Sequence, residues 1–179
     1  MTNLQDLQMG ANQITGTLPN DSGSLTNLNT LLLNINYLIG SIPDNVGGLG
    51  SLVHVHLSNN NLTSTLPSSL CELSTLTIVD LSNNFLTGTI PDTYDDSPIL
   101  RELYLDMNWL KGTIPAVGDG NLQALRAILL SYNDLEGSVP WNLCMLRDEV
   151  NGVIKSLQVK CGYDPQDVFC PFGFCTTCT

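Results

Sequence analysis

Two groups of side chains in this sequence could do chemistry. His54 and His56 stand two residues apart, and Asp80 and Tyr104 follow His56 at successive intervals of 24. Glu102 and Asp106 lie two residues to either side of Tyr104. If 24 residues make one structural repeat, these six come to a single surface, with Met107 and Tyr132 beside them. Aromatic, imidazole and carboxylate groups gathered in this way are the makings of a ligand-binding patch. His54, His56 and Asp80 would also suit a metal ion, but Cα atoms at i and i+2 on a strand are about 6.6 Å apart, a wide span for shared coordination. Solvated histidines are the simpler reading, so no metal ligand and no cofactor are assigned.

The second group is cysteine. Cys161, Cys170, Cys175 and Cys178 crowd the end of the chain and are disulfide candidates; four cysteines allow three pairings, and the spacing does not choose among them. Their C-x8-C-x4-C-x2-C spacing competes as a zinc site, but no basic or helical context supports one. Cys71 and Cys144 each follow a proline (Pro67, Pro140) by four residues, three repeats apart. Stacked strands would hold them about 14 Å from each other, beyond the roughly 7 Å a disulfide tolerates. Cys71 is expected to be small, buried and inert, and Cys144 is a further candidate for the terminal cluster.

Catalysis finds no foothold. The sequence holds no HExxH, no GxSxG and no Gly-rich phosphate loop, and Ser58 beside His56 lacks an oxyanion donor and a pocket. The net charge of −11 argues against nucleic acid, whose phosphates need basic contacts. No run of 18 apolar residues occurs, so no membrane span is expected.

What must position these groups is a ladder of asparagines. Asn12, Asn36, Asn60, Asn84, Asn108 and Asn133 stand 24, 24, 24, 24 and 25 residues apart, each in the same apolar frame. One unit reads Leu76, Val79, Leu81, Asn84, Leu86, Gly88, Ile90, Pro91. The alternation before each Asn predicts a strand, with Val55 and Leu57 inward and His54 and His56 outward. The Asn amide can satisfy backbone groups left open at the bend, Gly permits the next turn, and Pro ends pairing. One coil cannot offset its ordering entropy alone, so the coils must stack.

The pattern LxxLxLxxNxLxGxIP resembles the plant-type extracellular leucine-rich repeat. The resemblance implies an α/β-type solenoid, a right-handed superhelix with a parallel sheet on its concave face. Six repeats start at Leu4, Leu28, Leu52, Leu76, Leu100 and Leu125 and fill residues 1–148. Residues 149–179 would form an incomplete seventh coil, framed by Ile154, Leu157 and Val159, and a Cys-rich cap. That tail resembles the C-terminal caps of leucine-rich repeat proteins of diatoms and related algae. Relatives usually carry an N-terminal cap and a secretion signal before the first repeat, so this chain is expected to be the C-terminal part of a longer one.

The expected function is recognition: a receptor-like or secreted module binding a protein, peptide or glycan on the concave face. A secreted inhibitor of a foreign enzyme is one alternative. Another is a structural or ice-associated surface built on the hydroxyl ladder Thr17, Ser41, Thr65, Thr89, Thr113 and Ser138. Sequons at Asn20 and Asn61, read as loop positions, and the terminal cysteines favour an oxidising, extracellular setting. Asp92, Asp95 and Asp96 are read as a solvated acidic loop.

Overall fold

A computed structural model describes residues 3–118, 122–140, 142–143 and 156–158. Among the described residues thirteen short strands alternate between two faces. The main sheet is parallel throughout and contains β1 (Asp6–Gln8), β3 (Thr30–Leu32), β5 (His54–His56), β7 (Ile78–Asp80), β9 (Glu102–Tyr104), β11 (Ala127–Leu129) and β13 (Ser156–Gln158), in that order. The register advances by one sequence repeat per strand, with Asp6 opposite Thr30, Thr30 opposite His54 and His54 opposite Ile78. This is the leucine-rich repeat solenoid that the frame implied. In β3, β5, β7, β9 and β11 the middle residue is buried and its neighbours are half-buried. The frame leucines fill the interior: Leu52, Leu57, Leu62, Leu76, Leu81, Leu86 and Leu110 are all but inaccessible. Each contributes about 1.5–3 kcal/mol by leaving water.

The Asn ladder ties the coils together. Asn60 Oδ1 accepts the Leu38 N–H at 3.0 Å, and its Nδ2 donates to the carbonyls of Leu33 and Leu57, both at 3.0 Å. Leu38 and Leu33 belong to the preceding coil, so one amide bridges two turns of chain. Asn84 and Asn108 repeat the arrangement, accepting from Leu62 and Leu86. Asn12 is exposed and donates only within its own coil, to Met9 and Gly10.

Past each Asn the chain forms a second set of strands. β2 (Thr15–Thr17), β4 (Tyr37–Gly40) and β6 (Asn61–Leu62) make one three-stranded sheet; β8 (Thr87–Gly88), β10 (Trp109–Thr113) and β12 (Asp134–Glu136) make another. A single bridge, Thr65 to Thr87, joins the two. Here the register differs from the main sheet: Thr15 pairs with Tyr37 and Thr17 with Ile39, a step of 22 rather than 24. The straight Thr-x-Thr columns expected from the repeat are therefore skewed by two residues. Asn61 also departs from expectation, since it pairs with Ile39 inside β6 and is not a loop residue.

The hydroxyl ladder has a packing partner. A Cβ built on Gly88, whose φ is +78°, would lie 2.6 Å from the Thr65 methyl of the preceding coil; on Gly112 and Gly137 the corresponding distances to Thr89 and Thr113 are both 3.1 Å. In the third coil Ser64 replaces this glycine, at φ +70°. The preceding coil there offers Ser41, which has no methyl.

On the convex side lie a short helix α1 (Ser68–Cys71) and 3-10 turns at Ser22–Ser24, Asp44–Gly48 and Asp92–Asp95. The acidic loop is not uniformly solvated. Asp92 and Asp96 are exposed, but Asp95 is buried and accepts the Gly118 N–H. Ser97, which breaks the apolar frame, is buried and donates to the carbonyls of Cys71 and Leu73 at 3.0 and 2.6 Å. A hydrogen-bonded strap stands where the frame called for Leu. Cys71 is a free thiol, half-buried rather than buried; burial first, then Glu72 and Asp96, push it up to about 12, so it is a poor nucleophile. Cys144, the four terminal cysteines and the boundary at 148–149 lie outside the described residues.

Candidate functional site on the concave face

Strand register brings the singled-out residues together. His56 lies opposite Asp80, and Asp80 opposite Tyr104, in one column across β5, β7 and β9. His54 and Glu102 flank this column, with Ile78 between them. All six outward positions are half-buried rather than fully solvated, because neighbouring columns crowd them.

Asp80 is the hub. Its Oδ2 accepts the Ser58 hydroxyl at 2.7 Å, and its Oδ1 accepts the Ser82 hydroxyl at 2.7 Å and the Ser82 N–H at 3.1 Å. His56 Nδ1 stands 3.7 Å from Oδ2. Burial alone would raise this carboxyl; donation from His56, Ser58 and Ser82 more than offsets it and holds the group below its usual value. Ser58 thus gives its proton to a carboxylate, not to an imidazole, and is not arranged as a nucleophile.

Asp106 behaves oppositely. Burial first, and the Asp80 charge as well, raise its carboxyl above the usual value, against a hydrogen bond from its own N–H. Tyr104 donates its hydroxyl to Glu102 at 3.1 Å. Burial, that bond and the surrounding carboxylates push the phenol up to about 12, so it stays a neutral donor. The site is negative and half-desolvated, which raises the value of a matching cationic group. Among the described residues no three His, Cys, Asp or Glu side chains are placed to hold a metal ion.

Met107 and Tyr132 are placed differently from the strand residues. Both lie in left-handed turns past the strand ends, with φ +55° and +57°, and both are exposed. They edge the patch rather than line its floor. Sequence reasoning weighed Ser58 only as a nucleophile and did not assign Ser58 and Ser82 as the donors that fix Asp80; their common position two residues beyond His56 and Asp80 was the available signal. Asn20 and Asn61 are both exposed.

Comparison with known proteins agrees with the fold. The family profile described as Leucine rich repeat matches residues 50–110. A search of curated protein sequences found no match. Among solved structures, the plant peptide hormone receptor RGFR1 in complex with RGF2 superposes with a TM-score of 0.80 at 32% identity, over 86% of this chain and 24% of the receptor. The Arabidopsis receptor kinase HAESA, in complex with the peptide hormone IDA and the co-receptor SERK1, gives 0.75 at 30% identity, over 87% and 25%. A plant ice-binding protein gives 0.72 at 33% identity, over 78% and 45%. The chain therefore spans about a quarter of the length of the two receptor chains it matches.

Proposed function

We propose that this chain is an extracellular, non-catalytic recognition module that holds a peptide or protein ligand on its concave face, with a basic group of the ligand seated against Asp80, Glu102 and Asp106. The supporting observation is Asp106: a half-buried carboxyl raised by its surroundings gains most when a cation arrives. Tyr104 supplies an aromatic contact, and His54 and His56 border the cation's place. Similarity to receptors solved with peptide hormones supports a peptide in this role. The secreted-inhibitor reading uses the same face and differs only in the partner. An N-glycan at Asn20, a second sequon at Asn61 and disulfides among Cys161, Cys170, Cys175 and Cys178 belong to the same extracellular reading, as does the division into repeats 1–148 and cap 149–179.

The test is selection from a displayed peptide library on the wild-type protein, followed by titration of the selected peptides against a His56→Ala/Tyr104→Ala variant. Peptides enriched in Arg or Lys should emerge, and the double variant should lose their binding while keeping its circular dichroism. Acidic or unselective peptides, or unchanged binding by the variant, would refute the reading. A second reading, ice association, draws on similarity to the plant ice-binding protein and on the exposed Thr17, Thr65, Thr89 and Thr113. The skewed register, and the exposed Ile39, Lys111 and Glu136 among those threonines, weigh against it. A Thr65→Lys/Thr89→Lys variant would abolish thermal hysteresis under that reading alone.

A further inference from the structure

Among the described residues nine large apolar side chains remain exposed, and six of them flank the buried Asn ladder: Ile35, Tyr37, Phe85, Met107, Trp109 and Tyr132. They occupy the positions immediately before or after Asn36, Asn84, Asn108 and Asn133. The fold does not account for them. Each is 37% exposed or more, so none fills the core. Ile35, Met107 and Tyr132 also hold the left-handed conformation, at φ +56°, +55° and +57°. Asn59 and Asn83 hold that place in the third and fourth coils, and Asn tolerates it far better than bulky apolar residues. Neither burial nor backbone preference selects these side chains, and a contiguous row of exposed apolar groups is the usual mark of a contact surface.

We propose that these two columns form a binding strip for an uncharged, linear oligosaccharide of hexopyranose units lying along the solenoid axis. The strip carries no charge from Ile35 to Tyr132, in a chain of net charge −11, and Asp134 closes it. Charged ligands therefore find no partner on it. Its polar groups are amides: Asn83 Nδ2 donates to Asn59 Oδ1 at 2.7 Å, which leaves an N–H of Asn59 and the carbonyl oxygen of Asn83 to a ligand. Its apolar groups are rings and thioether. Phe85 and Trp109 meet with centroids 5.1 Å apart and planes 57° apart, about one coil step. A pyranose has an apolar C–H face for such rings and hydroxyls at its rim for amides. An extended chain of pyranoses advances by about one coil per sugar, so successive units meet successive coils of the strip. The strip lies past the ends of the main-sheet strands, where β4, β6 and β10 begin, apart from the His56–Asp80–Tyr104 column, and stands whether or not that column binds peptide.

The experiment titrates cellohexaose into the full chain made without N-glycosylation, since Asn61 lies within the strip, and follows Trp fluorescence and heat. Laminarihexaose and polygalacturonate serve as comparators. Saturable binding of an uncharged hexasaccharide, insensitive to salt, is expected. Trp109→Ala should weaken it about tenfold or more. Tyr132→Asn should weaken it while raising Tm, because Asn suits the left-handed turn; this variant keeps the test valid if Trp109→Ala folds poorly. The proposal is overturned if neither uncharged hexasaccharide binds, or if only polygalacturonate binds and salt removes it. It is equally overturned if Tyr132→Asn lowers Tm and leaves binding untouched.

Discussion

Asn60 is buried and Asn59 and Asn61, one residue away on either side, are exposed. The buried position bonds to four backbone groups in two coils, and its counterparts in other coils are also Asn. The exposed positions run through Ile, Tyr, Asn, Phe, Met, Trp and Asp along the same solenoid. Adjacent residues thus obey different constraints. The ladder is held constant by hydrogen bonds that only one side chain can make, whereas the flanks and the concave columns vary because the backbone does not depend on them. In a stacked repeat, constancy marks what holds the coils and variation marks what faces a partner.

The contrast breaks most visibly inside the ladder itself. Asn60→Ala should lose about 3 kcal/mol, because it strands the buried Leu38 N–H and takes from the Leu33 and Leu57 carbonyls one of the two amide donors each has. Asn12→Ala, exposed and bonded within one coil, should lose under about 0.5 kcal/mol by comparison. Urea unfolding of the two variants checks the difference, and equal losses would show that bridging two coils is not what the amide contributes. Next in size is Gly88→Ala, which combines a positive φ with a Cβ pressed on the Thr65 methyl. It should lose about 2 kcal/mol, and Thr65→Ser should restore part of that in a double-mutant cycle.

Smaller effects sharpen the comparison. Ser64→Gly should gain about 1 kcal/mol by relieving a left-handed serine. Ser41→Thr should be tolerated only in that Ser64→Gly background, where a methyl finds room. Thermal unfolding of the single and paired variants tests both statements. The smallest effect concerns pH. Asp80 is held below its usual value of 3.8, so its contribution to stability is complete above that pH and is lost as pH falls through the lower folded value. Asp80→Asn should flatten that acid limb. Asp106 is raised, so its charged form destabilises the fold as pH climbs from 3.8 through its higher folded value. A basic ligand stabilises that charge, so its affinity should rise with pH across the carboxylate range.

The main sheet was legible because its register equals the sequence period: Leu, Val and Asn recur at 24 and pair at 24. The concave column of His56, Asp80 and Tyr104 was legible for the same reason. The second sheets were not, because their strands slip to a step of 22, and nothing in the Gly-x-Ile-Pro spacing announces a slip. Asp95 was misread because composition treats an acidic run as one object, while the 3-10 turn buries one member against Gly118. Trp109 and Phe85 were not legible because they follow the ladder Asn, outside the alternating strand frame that marks the concave columns. Bulky Ile35, Met107 and Tyr132, at the position where Asn59 and Asn83 suit the left-handed backbone, were the signal in the neighbouring column.

Equilibrium urea unfolding of Asn60→Ala beside a His56→Ala/Tyr104→Ala double variant tests the division of labour most directly. Asn60→Ala should lose about 3 kcal/mol. The double variant should lose about 1 kcal/mol or less, since a His–Asp contact at 3.7 Å and a half-exposed ring hold little of the fold. A double variant as destabilised as Asn60→Ala would contradict the division, making the concave column part of the scaffold rather than a surface kept for a ligand.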